Sequence, residues 1–184
     1  MNKLLRLTLA GVLCVFAIPH IASAQTFSDA FAGFGSNSKD PIQIEAEQLE
    51  VEDKSNSATF KGDVVVSQGD TQLKTERLRV FYDGSATGDV QQKISRLEAS
   101  GRVHITAKDQ TATGDEASFD MNRQVMVMTG KEVVLSQGPN VVVGKKLTVN
   151  LKTGTANLQG GVSGTSEGSG RVKVLLQPKS LNKN

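Results

Sequence analysis

A glycine recurs along this chain at Gly62, Gly101, Gly130 and Gly160, at intervals of 39, 29 and 30 residues. Apolar residues stand four and two positions before it: Ala58 and Phe60, Leu97 and Ala99, Met126 and Met128, Ala156 and Leu158. After it come Val64 and Val66, Val103 and Ile105, then Val133 and Leu135 displaced by one residue, then Val162. The displacement at Lys131-Glu132 reads as a β-bulge. A second series keeps the same rhythm: Leu49 and Val51, Leu78 and Val80, Ala117 and Phe119, Leu147 and Val149, at intervals of 29, 39 and 30. Both long intervals span the segment from Asp83 to Lys93, which reads as one loop insertion in an otherwise regular array. Two series that share one insertion define a true repeat of 29–30 residues.

Inside each unit the apolar residues alternate with polar ones, and β-branched residues and Thr abound. No segment offers an amphipathic helix of more than two turns, so the class is all-β. Each unit has room for roughly four short strands of five to six residues. With a period of two, positions −4, −2, +2 and +4 from the glycine share one face. Stacked units bury that face as a continuous apolar strip, with Lys61, Asp63, Arg102 and Lys131 outside. The strip is built of Val, Ile, Leu, Met and Ala, with Phe60 and Phe119 its aromatics. Met121, Met126 and Met128 suit a surface that adapts to varied apolar guests. A slender stack of this kind can stay open along one side. Its ends are strands without neighbours, Pro41 to Ala46 at one and Arg171 to Gln177 at the other, and unpaired strands template further chains. Pairing of one end with the other is heterologous and does not close.

The N-terminal segment is set apart from this pattern. Lys3 and Arg6 precede a 12-residue apolar run from Leu7 to Ile18, then Pro19 and the small residues Ala22-Ser23-Ala24. This reads as a secretory signal cleaved before Gln25. Leu13 directly before Cys14 argues against lipoprotein processing. Residues 25–39 read as a flexible arm in which Phe27, Phe31 and Phe34 lack periodicity, and residues 179–184 as a flexible tail.

Composition then excludes much chemistry. The 184 residues hold 21 Lys and Arg against 19 Asp and Glu, one Cys, two His and no Trp. Without the first 24 residues the chain is charge-balanced and has no Cys, which rules out a disulfide framework, a Cys-based zinc site and a strongly basic surface for nucleic acid. His104 is turned outward by its neighbours Val103 and Ile105. Asp115, Glu116 and Asp120 lack the pattern of a Ca²⁺ loop. The glycines at Gly160-Gly161 and from Gly164 to Gly170 lack a strand-to-helix phosphate context. The reading is of a non-enzymatic protein without metal or cofactor.

Two stretches carry a resemblance. Asp40-Pro41-Ile42-Gln43-Ile44-Glu45-Ala46, followed by the segment from Ala58 to Gly69 (ATFKGDVVVSQG), resembles the opening of the OstA-like (LptA) family of lipopolysaccharide transport proteins. The likeness extends over residues 40–178. It implies an incompletely closed, twisted β-jellyroll of stacked antiparallel strands with an apolar interior groove. It also implies a periplasmic location, lipopolysaccharide (lipid A) as the ligand, and head-to-tail self-association. The implied protein partners are an LptC-like inner-membrane-attached domain and an LptD-like outer-membrane domain. The family's lipid-contacting positions match Ile42, Ile44, Ile105, Phe119 and Met121. Joined to the parity set, the expected groove comprises these five with Phe60, Val64, Val66, Leu78, Val80, Val103, Met126 and Met128. A structural or adhesive β-solenoid without cargo, and a monomeric carrier of another lipid, are the competing readings.

Overall fold

The computed structural model describes residues 40–83, 93–161 and 170–177. The expected signal segment, the arm at 25–39, the insertion at 84–92, Val162 and the tail at 179–184 lie outside the described residues.

Ten strands form one antiparallel sheet: β1 (Gln43–Glu45), β2 (Gln48–Glu52), β3 (Ser57–Gln68), β4 (Thr71–Asp83), β5 (Lys93–Ala107), β6 (Gln110–Asp120), β7 (Val125–Gln137), β8 (Asn140–Asn150), β9 (Thr155–Gln159) and β10 (Lys173–Leu175). From β3 to β8 each strand pairs with the next in sequence. The short strands flank that run in pairs: β1 and β2 both on β3, β9 and β10 both on β8. Among the described residues the two flanks do not pair with each other, so the sheet does not close into a barrel.

Where the sequence suggests four short strands per repeat, the chain runs two long ones, and the repeat glycine lies within one of them, at Gly62 in β3, Gly101 in β5 and Gly130 in β7. The four survive as halves. Every pairing from β3 to β8 breaks register near its middle, for example between Lys61 and Val64 or between Ser100 and Val103, and β4–β5 does so again between Phe81 and Tyr82. On one side of this seam lies a row of half-strands, layer A, from β2 to β9. On the other lies layer B, from β1 to β10. Inward residues of both layers belong to a single hydrophobic core, so the sheet is folded over along the seam and packed against itself. This is a twisted, incompletely closed β-jellyroll.

The repeat glycines make the fold-over. Gly62 and Gly101 have φ of +81° and +86°, and Asp63 and Arg102 after them are also left-handed, at 38° and 47°. The larger φ of the first position is open to a Gly in a way it is not to a residue with a Cβ. Each such pair leaves two bulged residues opposite one: Gly62-Asp63 against Glu76, and Gly101-Arg102 against Asp115. At the third repeat three residues, Gly130-Lys131-Glu132, stand opposite Lys145. This larger bulge is the displacement seen in the sequence. The seam is also covered from outside by a column of charged side chains. Glu47 lies over Gly62, Glu76 over Gly101 and Asp115 over Gly130. Glu76 accepts a hydrogen bond from Arg102 at 2.7 Å, and Asp115 accepts one from the Lys131 amide at 2.7 Å. At Lys131 the backbone amide freed by the bulge is thereby given a partner.

Candidate lipid site between the layers

In layer A the inward positions are Ala58 and Phe60, Leu78 and Val80, Leu97 and Ala99, Ala117 and Phe119, Met126 and Met128, then Leu147 and Val149. In layer B they are Val64 and Val66, Leu73, Val103 and Ile105, Ala112, then Val133 and Leu135. Register places these side by side across each pair: Phe60 with Leu78, Leu97 with Phe119, Phe119 with Met126, and Met128 with Leu147. The sheet thus carries an apolar strip along its whole length, sealed by cross-strand pairs and free of directional bonds.

Of the thirteen residues expected to line the groove, ten are buried: Val64, Val66, Leu78, Val80, Val103, Ile105, Phe119, Met121, Met126 and Met128. Ile42, Ile44 and Phe60 are half-buried and pack against that core. Ile105 faces inward beside Leu73 and Ala112. The first strand, whose register the sequence left open, pairs Ile44 with Val66 and so brings Ile44 to the core. The structure also brings in residues that the sequence reading did not single out for the groove. Leu73 and Ala112 are two of them, and Leu73 pairs with both Val66 and Ile105. Alternation from Thr71 onward was the signal that could have found Leu73.

The sequence alone does not decide whether the interior is open or packed. The middle of the stack is packed, not open. Phe119, Leu73, Leu78, Leu97, Ile105, Met126, Met128 and Leu147 are each less than 2 % exposed. The methionines expected at an adaptable surface fill the space between the layers. The surface concavities lie elsewhere, one on the outer face of layer A among Arg77, Arg79, Glu98 and Glu116, another on the seam beside Asp63 and Arg102.

Among the described residues, the apolar face becomes accessible at the ends. Leu49 and Val51 on β2 pair with Phe60 and Ala58, so they continue the inward row, yet they are 58 % and 65 % exposed. Val174 on β10 pairs with Val142, which packs on the core, and is 57 % exposed. Leu175 and Leu176 add further exposed apolar area beside it. Strand edges and inward faces are therefore unfinished at both ends of the same stack.

The residues that could carry polar chemistry are dispersed. His104 is exposed, as its parity predicts. Asp120 accepts from the Arg123 amide at 2.8 Å and so shapes a turn. Among the described residues no group of three or more His, Cys, Asp or Glu is placed to hold a metal ion. Nor is any helix there long and apolar enough to cross a membrane. Burial raises the Tyr82 phenol above its ordinary pKa. The hydrogen bond and charge of Lys61 lower the Glu50 carboxyl.

Comparison with known proteins agrees with this geometry. A family model described as LptA/(LptD N-terminal domain) LPS transport protein matches residues 43–155. An uncharacterized protein of Rhizobium meliloti (strain 1021) is 37 % identical over 169 residues, covering 91 % of this chain and 87 % of its own. The lipopolysaccharide export system protein LptA of Escherichia coli (strain K12) is 26 % identical, over 98 % of this chain and 89 % of its own. The crystal structure of LptH from Pseudomonas aeruginosa superposes with a TM-score of 0.63 at 21 % identity, over 78 % of this chain and 99 % of that one. Its title describes LptH as the LptA-homologous periplasmic component of a lipopolysaccharide transport device. Folded strip, unfinished ends and family model point the same way: this chain belongs to the LptA/(LptD N-terminal domain) family of LPS transport proteins.

Proposed function

We propose that this protein carries lipopolysaccharide through the periplasm by sheltering the lipid A acyl chains between its two layers, and that copies join end to end with LptC-like and LptD-like domains to bridge the two membranes. One observation supports this above the others: an apolar strip runs unbroken through the stack and surfaces at both ends, at Leu49 and Val51 and at Val174. Acyl chains in water cost about 0.8 kcal/mol for each exposed CH₂, so a carrier has to shield them throughout. A surface of Val, Ile, Leu and Met does this without holding the lipid in one register. The packed middle means that cargo enters by parting the layers. Their separation exchanges contacts between side chains for contacts with acyl chains, both apolar, and the driving force comes from elsewhere in the pathway.

On this reading residues 1–24 direct export and are removed, residues 40–178 form the carrier domain, and the thirteen residues from Ile42 to Met128 named above contact the lipid. Relatives named as lipopolysaccharide export system proteins, matched over 78 % and 98 % of this chain, support the cargo. A structural β-stack without cargo is favoured by the same tight packing, and one experiment separates the two. Purified 25–184 is titrated calorimetrically with intact lipopolysaccharide and with the same polysaccharide stripped of its acyl chains. The carrier binds only the acylated form, with a negative heat-capacity change. A folded protein that binds neither is a structural stack, and equal binding of both indicates a surface sugar site.

A further inference from the structure

Away from the seam, the two layers end in rows of different chemistry. The last inward positions of layer A, on the side of the turns, are apolar or aromatic: Tyr82, Ile94, Met121 and Leu151, all packed on the core. Those of layer B run Gln68, Thr71, Ala107, Gln110, Gln137 and Asn140, adjacent in register from strand to strand. Five of these six carry a carboxamide or hydroxyl, and none carries a charge. Gln68, Thr71 and Gln110 are buried, Gln137 and Asn140 half-buried. A buried polar side chain is ordinarily fully bonded. Gln68 is not: its Nε2 donates to the Asp40 carbonyl at 2.9 Å, while its buried Oε1 has no partner among the described residues.

We propose that this row is a neutral polar rail that binds the junction between acyl chains and sugar, through its hydroxyls and acyl-amide groups. The inference rests on the carrier reading. Carboxamides accept and donate at once, which suits a hydroxyl or an amide. A phosphate is an acceptor and is bound by cationic side chains, which the rail lacks. Acyl chains then lie toward the seam, the junction lies along layer B, and the charged groups remain in water beyond the turns. Because the rail repeats from strand to strand, a lipid moving along the stack exchanges one carboxamide for the next.

The test compares wild type with Gln68→Met/Gln137→Met, using bis-phosphorylated lipid A and the same lipid A with its phosphates removed. Methionine keeps length and apolar fit while deleting the amide. The rail predicts that the double variant binds both lipids about tenfold more weakly. It predicts that dephosphorylation changes wild-type affinity by less than about twofold, since no charged hydrogen bond is lost. The ligand-free melting temperature of the variant should change by no more than a few degrees, because the unpaired buried carbonyl is removed together with the Nε2 hydrogen bond to Asp40. Wild-type affinity in the variant overturns the rail alone, as does a wild type that needs the phosphates. Failure of wild type to bind either lipid overturns the carrier reading beneath it. Should the double variant not fold, Gln137→Met alone, at a half-buried position, gives the same readings with a smaller loss.

Discussion

The same repeat position has opposite fates in the middle and at the end of this molecule. Leu78 and Leu147 are fully buried, whereas Leu49, the counterpart one repeat before Leu78, is 58 % exposed. Val80 and Val149 are likewise buried, and Val51 is 65 % exposed. Residue type and parity are equal, and only the neighbours differ. Each strand from β3 to β8 has a partner on both sides, while among the described residues β2 and β9, β1 and β10 have one on the inner side only. An end of this stack is thus a repeat still waiting for its neighbour, and another copy could supply one. The charges there do little to prevent it, since Lys61–Glu50 at 2.8 Å and Arg79–Glu52 at 3.1 Å already pair within the chain.

Substitution at matched positions breaks the comparison most sharply. Leu78→Ala should destabilise the domain by about 2–5 kcal/mol through lost burial and a cavity. Leu49→Ala, the same change one repeat away, should cost within about 0.5 kcal/mol. Urea denaturation of both variants checks this, and equal losses would mean that the ends are as closed as the middle. Next in size is the seam. Gly101→Ala places a Cβ at a φ of +86° and 2.6 Å from the Glu76 carboxylate, so a loss of about 1–3 kcal/mol is expected in the same assay. A neutral result would show that the bend does not need its glycine.

A third substitution leaves stability nearly alone and reads assembly. Leu49→Asp/Val51→Asp puts two carboxylates on an already exposed face. It should keep the melting temperature within a few degrees while weakening end-to-end association at least tenfold in sedimentation velocity. Oligomers that survive unchanged would place the contact elsewhere. The smallest effect is electrostatic. Because Lys61 holds the Glu50 carboxyl low, the folded state gains stability above the unfolded pKa and loses it as pH falls through the folded one. In Lys61→Met the Glu50 titration should rise toward the ordinary carboxylate range by NMR, with little change in overall stability at so exposed a pair. A titration that does not move would assign the shift to another group.

Much of this was legible in the sequence because alternation and repeat period are direct consequences of strand geometry. Val64, Ile105, Phe119 and Met126 could be assigned to the interior from spacing alone, and the extra residue at Lys131-Glu132 from the displaced valines. What spacing could not convey was continuity. Gly62 and Gly101 interrupt the apolar pattern as a turn would, yet the backbone passes through them as a bulge, so halves of one strand resemble two strands. Nor could it convey occlusion. Whether Met128 lines an open groove or fills a closed one depends on how nearly the layers approach, a distance that no local pattern encodes. Gln68 and Gln110 were passed over for a related reason: a polar residue at a strand end reads as a turn, and only the register aligns them into a row.

A carrier of this kind admits lipid between the layers, and the chain supplies its own reporters. Beyond the first 24 residues its methionines are Met121, Met126 and Met128, all buried in the interior. Carbon-13 methyl labelling of methionine therefore yields an NMR spectrum of the groove without any substitution. Titration with lipopolysaccharide bearing a spin label on an acyl chain should broaden all three signals, while the deacylated saccharide leaves them unchanged. Lipopolysaccharide that binds with all three signals left sharp would contradict an interior site.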